Sequence, residues 1–310
     1  MPLDPQLEQF FAHAPAFAGV RNVTLAELRD YVRTSSTAFP PLAVPLASVA
    51  DRTIAGPGGA LPVRIYTPEG PGPFPIIVYF HGGGWVVGDL DTQDMIARGL
   101  AHGAQAVTVS VDYRLAPEHP FPAAVDDCWA ATLWVAANAA ELNADPARIA
   151  VAGDSAGGSL AAGIALRARD ENGPAIAAQL LIYGACNYPS EDTPSSIEFA
   201  DAALLSRDDS FFFWHHYLRV PETDQHHPWA SPYRAESHVG LPPAFIVTAE
   251  MDPTRDASER YGARLQEAGV SADIRRYPGM VHGFVSWLGV IDCADRAMAE
   301  ATFWLKQQLA

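Results

Sequence analysis

Short apolar runs alternate with longer alanine-rich stretches along most of the chain. From the third strand onward, helical patterns separate most of the strands and follow the last one, at about 91–104, 122–142, 155–170, 253–268 and 291–309. Several apolar runs lack polar positions, which is typical of parallel strands covered by helices on both faces. We therefore predict an α/β protein with an eight-stranded, mostly parallel sheet, whose strands lie at 51–55, 63–68, 75–80, 106–113, 148–154, 179–184, 244–250 and 273–278.

The first two predicted strands are joined by the short sequence GPGGAL, which predicts an antiparallel hairpin at one edge of the sheet. Two segments, about 1–45 and about 187–235, do not follow the alternation. The first holds amphipathic helical patterns around 5–13 and 24–35 and then the proline-rich FPPLAVP, and the second holds the aromatic run FFFWHHYL. A connection of about 50 residues is too long for a plain loop. We predict that residues 1–310 form a single domain in which these two segments make a helical cap.

The strongest chemical signal is GDSAG, which directly follows an apolar strand and precedes an alanine-rich helix. In that context G-x-S-x-G forms a sharp turn that exposes a serine at the C-terminal edge of the sheet. Gly153 and Gly157 let the strand and helix pass closely, and the helix N-terminus favours developing negative charge. We interpret Ser155 as a nucleophile rather than as a helix cap.

A serine hydroxyl needs a base to accept its proton. His282, in YPGMVHGF, lies on a glycine-flanked loop after the last predicted strand. Asp252 follows the preceding strand directly, whereas Glu250 lies too early, at the strand terminus, and Asp256 lies one helical turn too late. The chain order Ser155, Asp252, His282 is the order known for such a site on this kind of sheet.

Three glycines in a row follow the apolar run PIIVYF, in the sequence HGGGW. Acyl transfer passes through a tetrahedral oxyanion, which needs preorganised N–H donors. Ala156 supplies one donor, and a glycine run lets the amides of Gly83 and Gly84 turn inward without a side chain in the way. A phosphate-binding loop is disfavoured, because neither GK[ST] nor GxGxxG is present there.

With HGGGW, GDSAGG, the DP pair and the late HGF in order, the chain resembles the bacterial hormone-sensitive-lipase-like esterases of the α/β-hydrolase fold. The stretch DYRLAPEHPFPAAVDD at 112–127 resembles that family as well. The resemblance covers nearly the full length. The residues to which it gives a role are the triad of Ser155, Asp252 and His282, the oxyanion donors Gly83, Gly84 and Ala156, and the loop-shaping His81 and Gly82.

The resemblance implies a serine carboxylesterase that hydrolyses small-molecule esters with short to medium acyl chains through an acyl-enzyme, without a cofactor. An amidase or aryl formamidase with the same triad stays open, as does, less favoured, a non-catalytic small-ligand receptor of the same fold. An apolar cleft must hold the acyl chain. We expect its lining to include Trp85, Asp154, Leu205, Phe212, Phe213 and Trp214.

The net charge of −16 disfavours a nucleic-acid partner and an anionic membrane surface. No apolar stretch is long enough to span a bilayer, and the N-terminus lacks a signal-peptide pattern. The three cysteines form no CxxC, and the histidine pairs at 215–216 and 226–227 lack a metal-ligand spacing, so we expect no metal site. We expect a cytoplasmic protein, as a monomer or homodimer.

Overall fold

The computed structural model describes residues 2–13, 19–38, 41–189 and 192–310. The strands are β1 (Ser48–Gly56), β2 (Gly59–Thr67), β3 (Phe74–Phe80), β4 (Val107–Val111), β5 (Ala144–Asp154), β6 (Ile176–Ile182), β7 (Ala244–Met251) and β8 (Ala272–Val281). The α-helices are α1 (Pro5–His13), α2 (Leu25–Thr37), α3 (Asp94–Ala104), α4 (Ala123–Ala137), α5 (Ala156–Asp170), α6 (Pro194–Glu198), α7 (Arg207–Tyr217), α8 (Pro221–Asp224), α9 (Arg255–Glu267) and α10 (Asp292–Gln308). Short 3-10 helices lie at Val20–Asn22, Ala139–Leu142, Pro232–Arg234 and Phe284–Trp287.

The eight strands form one sheet in the order β1-β2-β4-β3-β5-β6-β7-β8. The pairs β1–β2 and β2–β4 are antiparallel, and every other neighbouring pair is parallel. This confirms the predicted mostly parallel sheet and the hairpin at its edge. Because β3 lies between β4 and β5, the loops that leave β3 and β5 adjoin at the carboxyl edge, where open α/β sheets bind their ligands.

Strand β3 shows why the apolar runs lack polar positions. Ile76, Val78 and Phe80 are buried in the core layer that includes α4 and α5. Ile77 and Tyr79 alternate with them and are buried in the opposite layer, with α3 and α10. Each buried aliphatic or aromatic side chain of this kind contributes about 1.5–3 kcal/mol to folding. Both faces of the sheet therefore require apolar residues.

The N-terminal helices pack against the carboxyl edge of the sheet. Leu7 of α1 is fully buried in the layer that contains α10, and the backbone N–H of Asp4 donates to the carbonyl of Gly279 at 3.1 Å. Helix α2 starts at a capping box between Thr24 and Glu27, which satisfies N–H groups at the helix start. The two predicted N-terminal helical patterns are therefore helices in the structure.

Helix α7 carries the aromatic run of the second irregular segment. Its N-cap Ser206 forms a capping box with Asp209, and its Trp214 and Tyr217 are buried. The helix lies against the N-terminal segment, where Arg21 pairs with Asp208 at 3.1 Å. The first part of the predicted FPPLAVP linker and residues 190–191 lie outside the described residues. Among the described residues, none of the helices combines the length and apolarity needed to span a bilayer.

Candidate active site

Ser155 lies on the sharp turn between β5 and α5, with φ 52° and ψ −119°. Its backbone N–H donates to the carbonyl of Ile182 at 2.8 Å, which anchors this strained conformation to β6. A Cβ at Gly157 would lie 1.9 Å from the carbonyl oxygen of Phe80, and one at Gly153 would lie 2.2 Å from the backbone of Gly157. The glycines of GDSAG are thus required by the close passage of β3, β5 and α5.

Ser155, His282 and Asp252 form one continuous chain of hydrogen bonds. The Ser155 Oγ lies 2.8 Å from His282 Nε2, and His282 Nδ1 lies 2.7 Å from Asp252 Oδ2. Asp252 is fully buried, and its other oxygen accepts the backbone N–H and the hydroxyl of Thr254 at 2.7 and 2.8 Å. A carboxylate at Nδ1 holds the neutral imidazole with its proton on that nitrogen, which leaves Nε2 to accept from the serine.

The two competing acids are engaged elsewhere. Glu250 accepts the backbone N–H of Gly279 at 3.0 Å, and Asp256 accepts a backbone N–H of α6 at 2.8 Å. Of the three carboxylates considered from the sequence, only Asp252 contacts His282 in the described part of the chain. The position of a residue just after β7 therefore decides which acid reaches the imidazole.

Asp154 links the GDSAG turn to the glycine run. Its Oδ1 accepts the backbone N–H of Gly82 at 2.9 Å and the hydroxyl of Tyr79 at 2.6 Å. A Cβ at Gly82 would lie 2.3 Å from Asp154 Oδ2, so only glycine fits beside this carboxylate. Burial raises the pKa of Asp154 to about 6, although both hydrogen bonds act in the opposite direction.

The second and third glycines have different neighbours. A Cβ at Gly83 would lie 2.1 Å from the carbonyl oxygen of Val87, and one at Gly84 would lie 2.2 Å from the ring of Phe213. Both have positive φ, +118° and +58°, where a side chain is strained. The loop therefore curls upon itself at Gly83 and lies directly under α7 at Gly84.

Gly83, Gly84 and Ala156 line the cavity at Ser155. Within the described ranges, no protein group accepts a hydrogen bond from their backbone N–H groups. Such donors can stabilise the oxyanion that develops when a serine attacks a carbonyl carbon.

His81 lies behind the glycine run and stacks on Tyr113 at a ring distance of 4.2 Å. Its Nδ1 lies 2.7 Å from the carbonyl oxygen of Gly82, and Tyr113 donates to the carbonyl of His81 at 2.7 Å. Burial lowers the pKa of His81 to about 4, so the ring is neutral at pH 7. A neutral Nδ1–H then donates to the loop and fixes its shape.

A cavity of about 170 Å³ opens over Ser155. Of the six residues expected in its lining, Trp85, Asp154, Leu205, Phe213 and Trp214 are present. The sixth, Phe212, is not: α7 turns it away from the cavity. There it lies 4.2 Å from the ring of His216 and packs on the N-terminal cluster around Leu28.

A polar flank of the same cavity was not predicted from the sequence. It consists of Gln93, Tyr183 and Ser286, with the Ser286 hydroxyl 3.5 Å from Gln93 Oε1. Tyr183 directly follows the end of β6, so its place at the carboxyl edge could have been predicted. Gln93 directly precedes α3 and Ser286 lies in the 3-10 helix Phe284–Trp287, and no motif marks either position. None of the described residues of 1–45 lines the cavity, so the N-terminal segment backs the wall instead.

The histidine pairs make local contacts. His216 Nδ1 lies 2.8 Å from the carbonyl oxygen of Phe212, and His226 Nδ1 lies 3.1 Å from an Arg234 nitrogen. The nitrogen of His227 lies 3.1 Å from the backbone N–H of Trp229. Among the described residues, no group of three or more potential ligands could hold a metal ion.

Several known proteins have the same architecture and a similar sequence. A family model described as alpha/beta hydrolase fold matches residues 77–286. The carboxylesterase NlhH of Mycobacterium tuberculosis is 44% identical over 99% of this chain and 96% of that protein. The esterase LipI of the same organism is 48% identical over 82% of this chain and 80% of that protein. A solved esterase from Pyrobaculum calidifontis superposes with a TM-score of 0.92 at 39% identity, over 100% of both chains. The chain therefore belongs to the hormone-sensitive-lipase-like esterases of the α/β-hydrolase fold.

Proposed function

We propose that this chain is a serine carboxylesterase and that Ser155 is its nucleophile. The observation that carries the proposal is the hydrogen-bonded chain from Ser155 through His282 to Asp252. Ser155 Oγ attacks the ester carbonyl carbon while His282 Nε2 takes its proton. His282 then gives the proton to the leaving alcohol, and an acyl-enzyme forms. A water molecule, deprotonated by His282, then attacks the acyl carbon. The bond between the acyl carbon and Ser155 Oγ breaks, His282 returns the proton to Oγ, and the carboxylic acid leaves.

The acyl oxygen becomes negative in each tetrahedral intermediate. We propose that the N–H groups of Gly83, Gly84 and Ala156 donate to it, because they line the cavity beside Ser155 and have no described protein acceptor. One such donor is typically worth about 2.7–4 kcal/mol of transition-state stabilisation. The backbone-entropy cost of the glycine run is smaller, at about 0.5–1 kcal/mol per residue.

The acyl chain lies against the apolar wall formed by Leu205, Phe213 and Trp214. The cavity has a volume of about 170 Å³. An engineered apolar cavity of similar volume, about 150 Å³, binds benzene. The cavity at Ser155 therefore accommodates a short or medium chain rather than a fatty chain. The names of NlhH and LipI, a carboxylesterase and an esterase, agree with ester hydrolysis.

The two irregular segments form a cap in this proposal. Helix α7 contributes the apolar wall, and α2 supports the wall from behind through the cluster that includes Leu28 and Phe213. The three cysteines, Cys128, Cys186 and Cys293, are buried and unpaired, which supports a reducing, cytoplasmic location. We expect a monomer or homodimer, which size-exclusion chromatography with light scattering tests.

A panel of p-nitrophenyl esters from acetyl to palmitoyl tests the proposal, run beside a p-nitroanilide of the best acyl group. We expect the highest kcat/KM for acyl chains of about four to eight carbons and a steep fall towards palmitoyl. Anilide cleavage that exceeds ester cleavage would make the chain an amidase. Preference for palmitoyl would contradict the cap and cavity described above.

A further inference from the structure

A second, smaller chamber adjoins the cavity at Ser155. Its volume is about 40 Å³. One water molecule requires about 10–15 Å³, so the chamber has room for a group larger than a single water molecule. Ala185, Ser210 and Thr254 line both the chamber and the cavity, so the two spaces meet at these residues. The Thr254 hydroxyl also donates to Asp252 at 2.8 Å, which places this junction in contact with the triad.

The charged side chains in the described lining of this chamber are both arginines, Arg207 and Arg260. The chamber lining is therefore positively charged, whereas the whole chain is acidic, with 36 acidic and 20 basic residues. Arg207 pairs with Asp192 outside the chamber. Arg260 is exposed at the rim, and within the described ranges no carboxylate lies within ion-pair distance of its guanidinium.

Two further lining groups are donors without a described acceptor. Asn187 accepts from Arg234 Nε through Oδ1 at 2.8 Å, which leaves its NH₂ group to be satisfied. The Ser210 hydroxyl has no partner among the described residues, although its residue is buried. The hydroxyls of Thr193 and Ser196, by contrast, are used in a mutual capping box. The chamber thus offers donors and a positive charge, and a carboxylate is the group that complements both.

We propose that this chamber binds a carboxylate at the far end of the acyl group, so that the enzyme prefers half-esters of short dicarboxylic acids over neutral esters of equal length. The inference rests on the proposed esterase function. Ser210 lies on α7, as do Phe213 and Trp214 of the apolar wall, so an acyl chain that follows this helix leads from Ser155 to the chamber. The carboxylate is bound and is not transformed.

The test compares kcat/KM for monomethyl succinate, glutarate and adipate with kcat/KM for methyl butanoate, pentanoate and hexanoate, followed by acid release in a pH-stat. The measured quantity is the ratio of the half-ester to the neutral ester of the same acyl length. Arg260→Gln should lower the largest ratio about tenfold, because a charge-assisted hydrogen bond is lost. Asn187→Asp should lower it as well, since it replaces the donor by a negative charge while keeping an acceptor for Arg234.

Arg264→Gln is the matched control. Arg264 lies one turn further along α9 and does not line the chamber itself, but its guanidinium lies 5.5 Å from the ring of Tyr233, which does. The variant therefore controls for the lost charge and for packing behind the lining. The loss of Arg264 changes the net charge equally and should leave the ratio unchanged. Added salt should lower the ratio in the wild type and less in Arg260→Gln.

The possible results separate this inference from the function on which it rests. A ratio that is the same in the wild type, Arg260→Gln and Asn187→Asp overturns the chamber as a carboxylate site, while hydrolysis of the neutral esters still supports the esterase. A ratio that falls equally in Arg264→Gln overturns it too, since the effect is then the charge of the whole molecule. Hydrolysis of neither ester class overturns the proposed function and this inference with it.

Discussion

The ring of Phe213 packs so tightly on Gly84 that a Cβ at Gly84 would lie 2.2 Å from Phe213 Cδ1. This contact joins α7 to the loop that carries two of the proposed oxyanion donors. Helix α7 therefore sets the height of the loop over Ser155 as well as the shape of the acyl wall. We therefore expect a substitution at Gly84 to displace Phe213, and a substitution at Phe213 to displace the loop at Gly84.

Gly84→Ala should lower kcat about 10²-fold on the best p-nitrophenyl ester, because a small displacement of the loop misplaces its N–H groups. Phe213→Ala removes the ring but keeps the Cβ of residue 213, which would lie 2.8 Å from the new Cβ. Most of the steric conflict is relieved, so the double variant should recover part of the lost kcat. The remaining deficit reflects this contact and the strain of alanine at φ +58°. A double variant no faster than Gly84→Ala would show that Phe213 does not position the loop.

Asp252→Asn should lower kcat by orders of magnitude, because the amide favours the wrong imidazole tautomer. A fall of about 10⁴-fold was found for the same change in another triad enzyme. Glu250→Gln and Asp256→Asn are the matched controls, since each removes one negative charge nearby without touching His282. Our assignment of the acid fails if either control loses more activity than Asp252→Asn.

Asp154 should make stability depend on pH in a predictable direction. Its pKa is raised in the folded state from 3.8 to about 6, so between these values the folded chain holds a proton that the unfolded chain has lost. Stability from this group is therefore present below about pH 4 and is lost as the pH rises to about 6. Two pKa units correspond to about 3 kcal/mol.

Asp154→Asn lacks this titration. The free energy of unfolding of the variant, minus that of the wild type, should rise by about 3 kcal/mol between pH 4 and pH 7. Urea unfolding at several pH values measures this difference, and contributions of other groups cancel in the subtraction. A difference that stays constant with pH would show that Asp154 ionises normally in the folded protein.

Arg29 of α2 links the N-terminal segment to the glycine loop. Its Nε donates to the carbonyl of Val86 at 2.9 Å and its Nη2 to the carbonyl of Ala116 at 3.0 Å. Deletion of residues 1–35 removes these bonds together with the support behind Phe213. We expect a lower kcat/KM on the best ester and a flatter chain-length profile. A folded truncated protein with the wild-type profile would show that the segment is not needed at the site.

Two point variants separate these effects. Arg29→Met keeps the helix but loses both carbonyl contacts, so it should reproduce the fall in kcat of the truncated protein. Glu118→Gln weakens only the ion pair with Arg29. In the wild type, the two carboxylate oxygens of Glu118 lie 2.7 and 2.8 Å from the guanidinium nitrogens of Arg29. Glu118→Gln should leave kcat nearly unchanged, as expected for an exposed pair. Equal losses in both variants would assign the effect to the ion pair instead.

The sequence predicted the sheet and the three chain positions of Ser155, Asp252 and His282, because these depend on local pattern. An apolar strand next to a small-residue turn predicts the sharp turn at Ser155, and the ends of parallel strands converge at one edge. The cavity wall was harder to predict. Neighbours on α7 such as Phe212 and Phe213 differ by a rotation of about 100° about the helix axis. Only the packing of the helix decides which of them faces Ser155.

The N-terminal segment shows the same limit. Its amphipathic patterns predicted the helices at Pro5–His13 and Leu25–Thr37. They could not show that α2 would support the wall rather than line it, since that depends on contacts such as Arg29 to Val86 between residues 57 positions apart. The side chamber is likewise invisible in the sequence, because Asn187, Ser210 and Arg260 come from three separate elements.

The identity of the nucleophile is the central claim, and covalent labelling tests it most directly. The protein is treated with a p-nitrophenyl phosphonate ester, digested, and the labelled peptide is sequenced by mass spectrometry, with Ser155→Ala treated in parallel. We predict one adduct per chain, on Ser155, together with loss of all esterase activity, and no adduct on the folded Ser155→Ala variant. An adduct on another residue with the same loss of activity, or full activity in Ser155→Ala, would contradict the account.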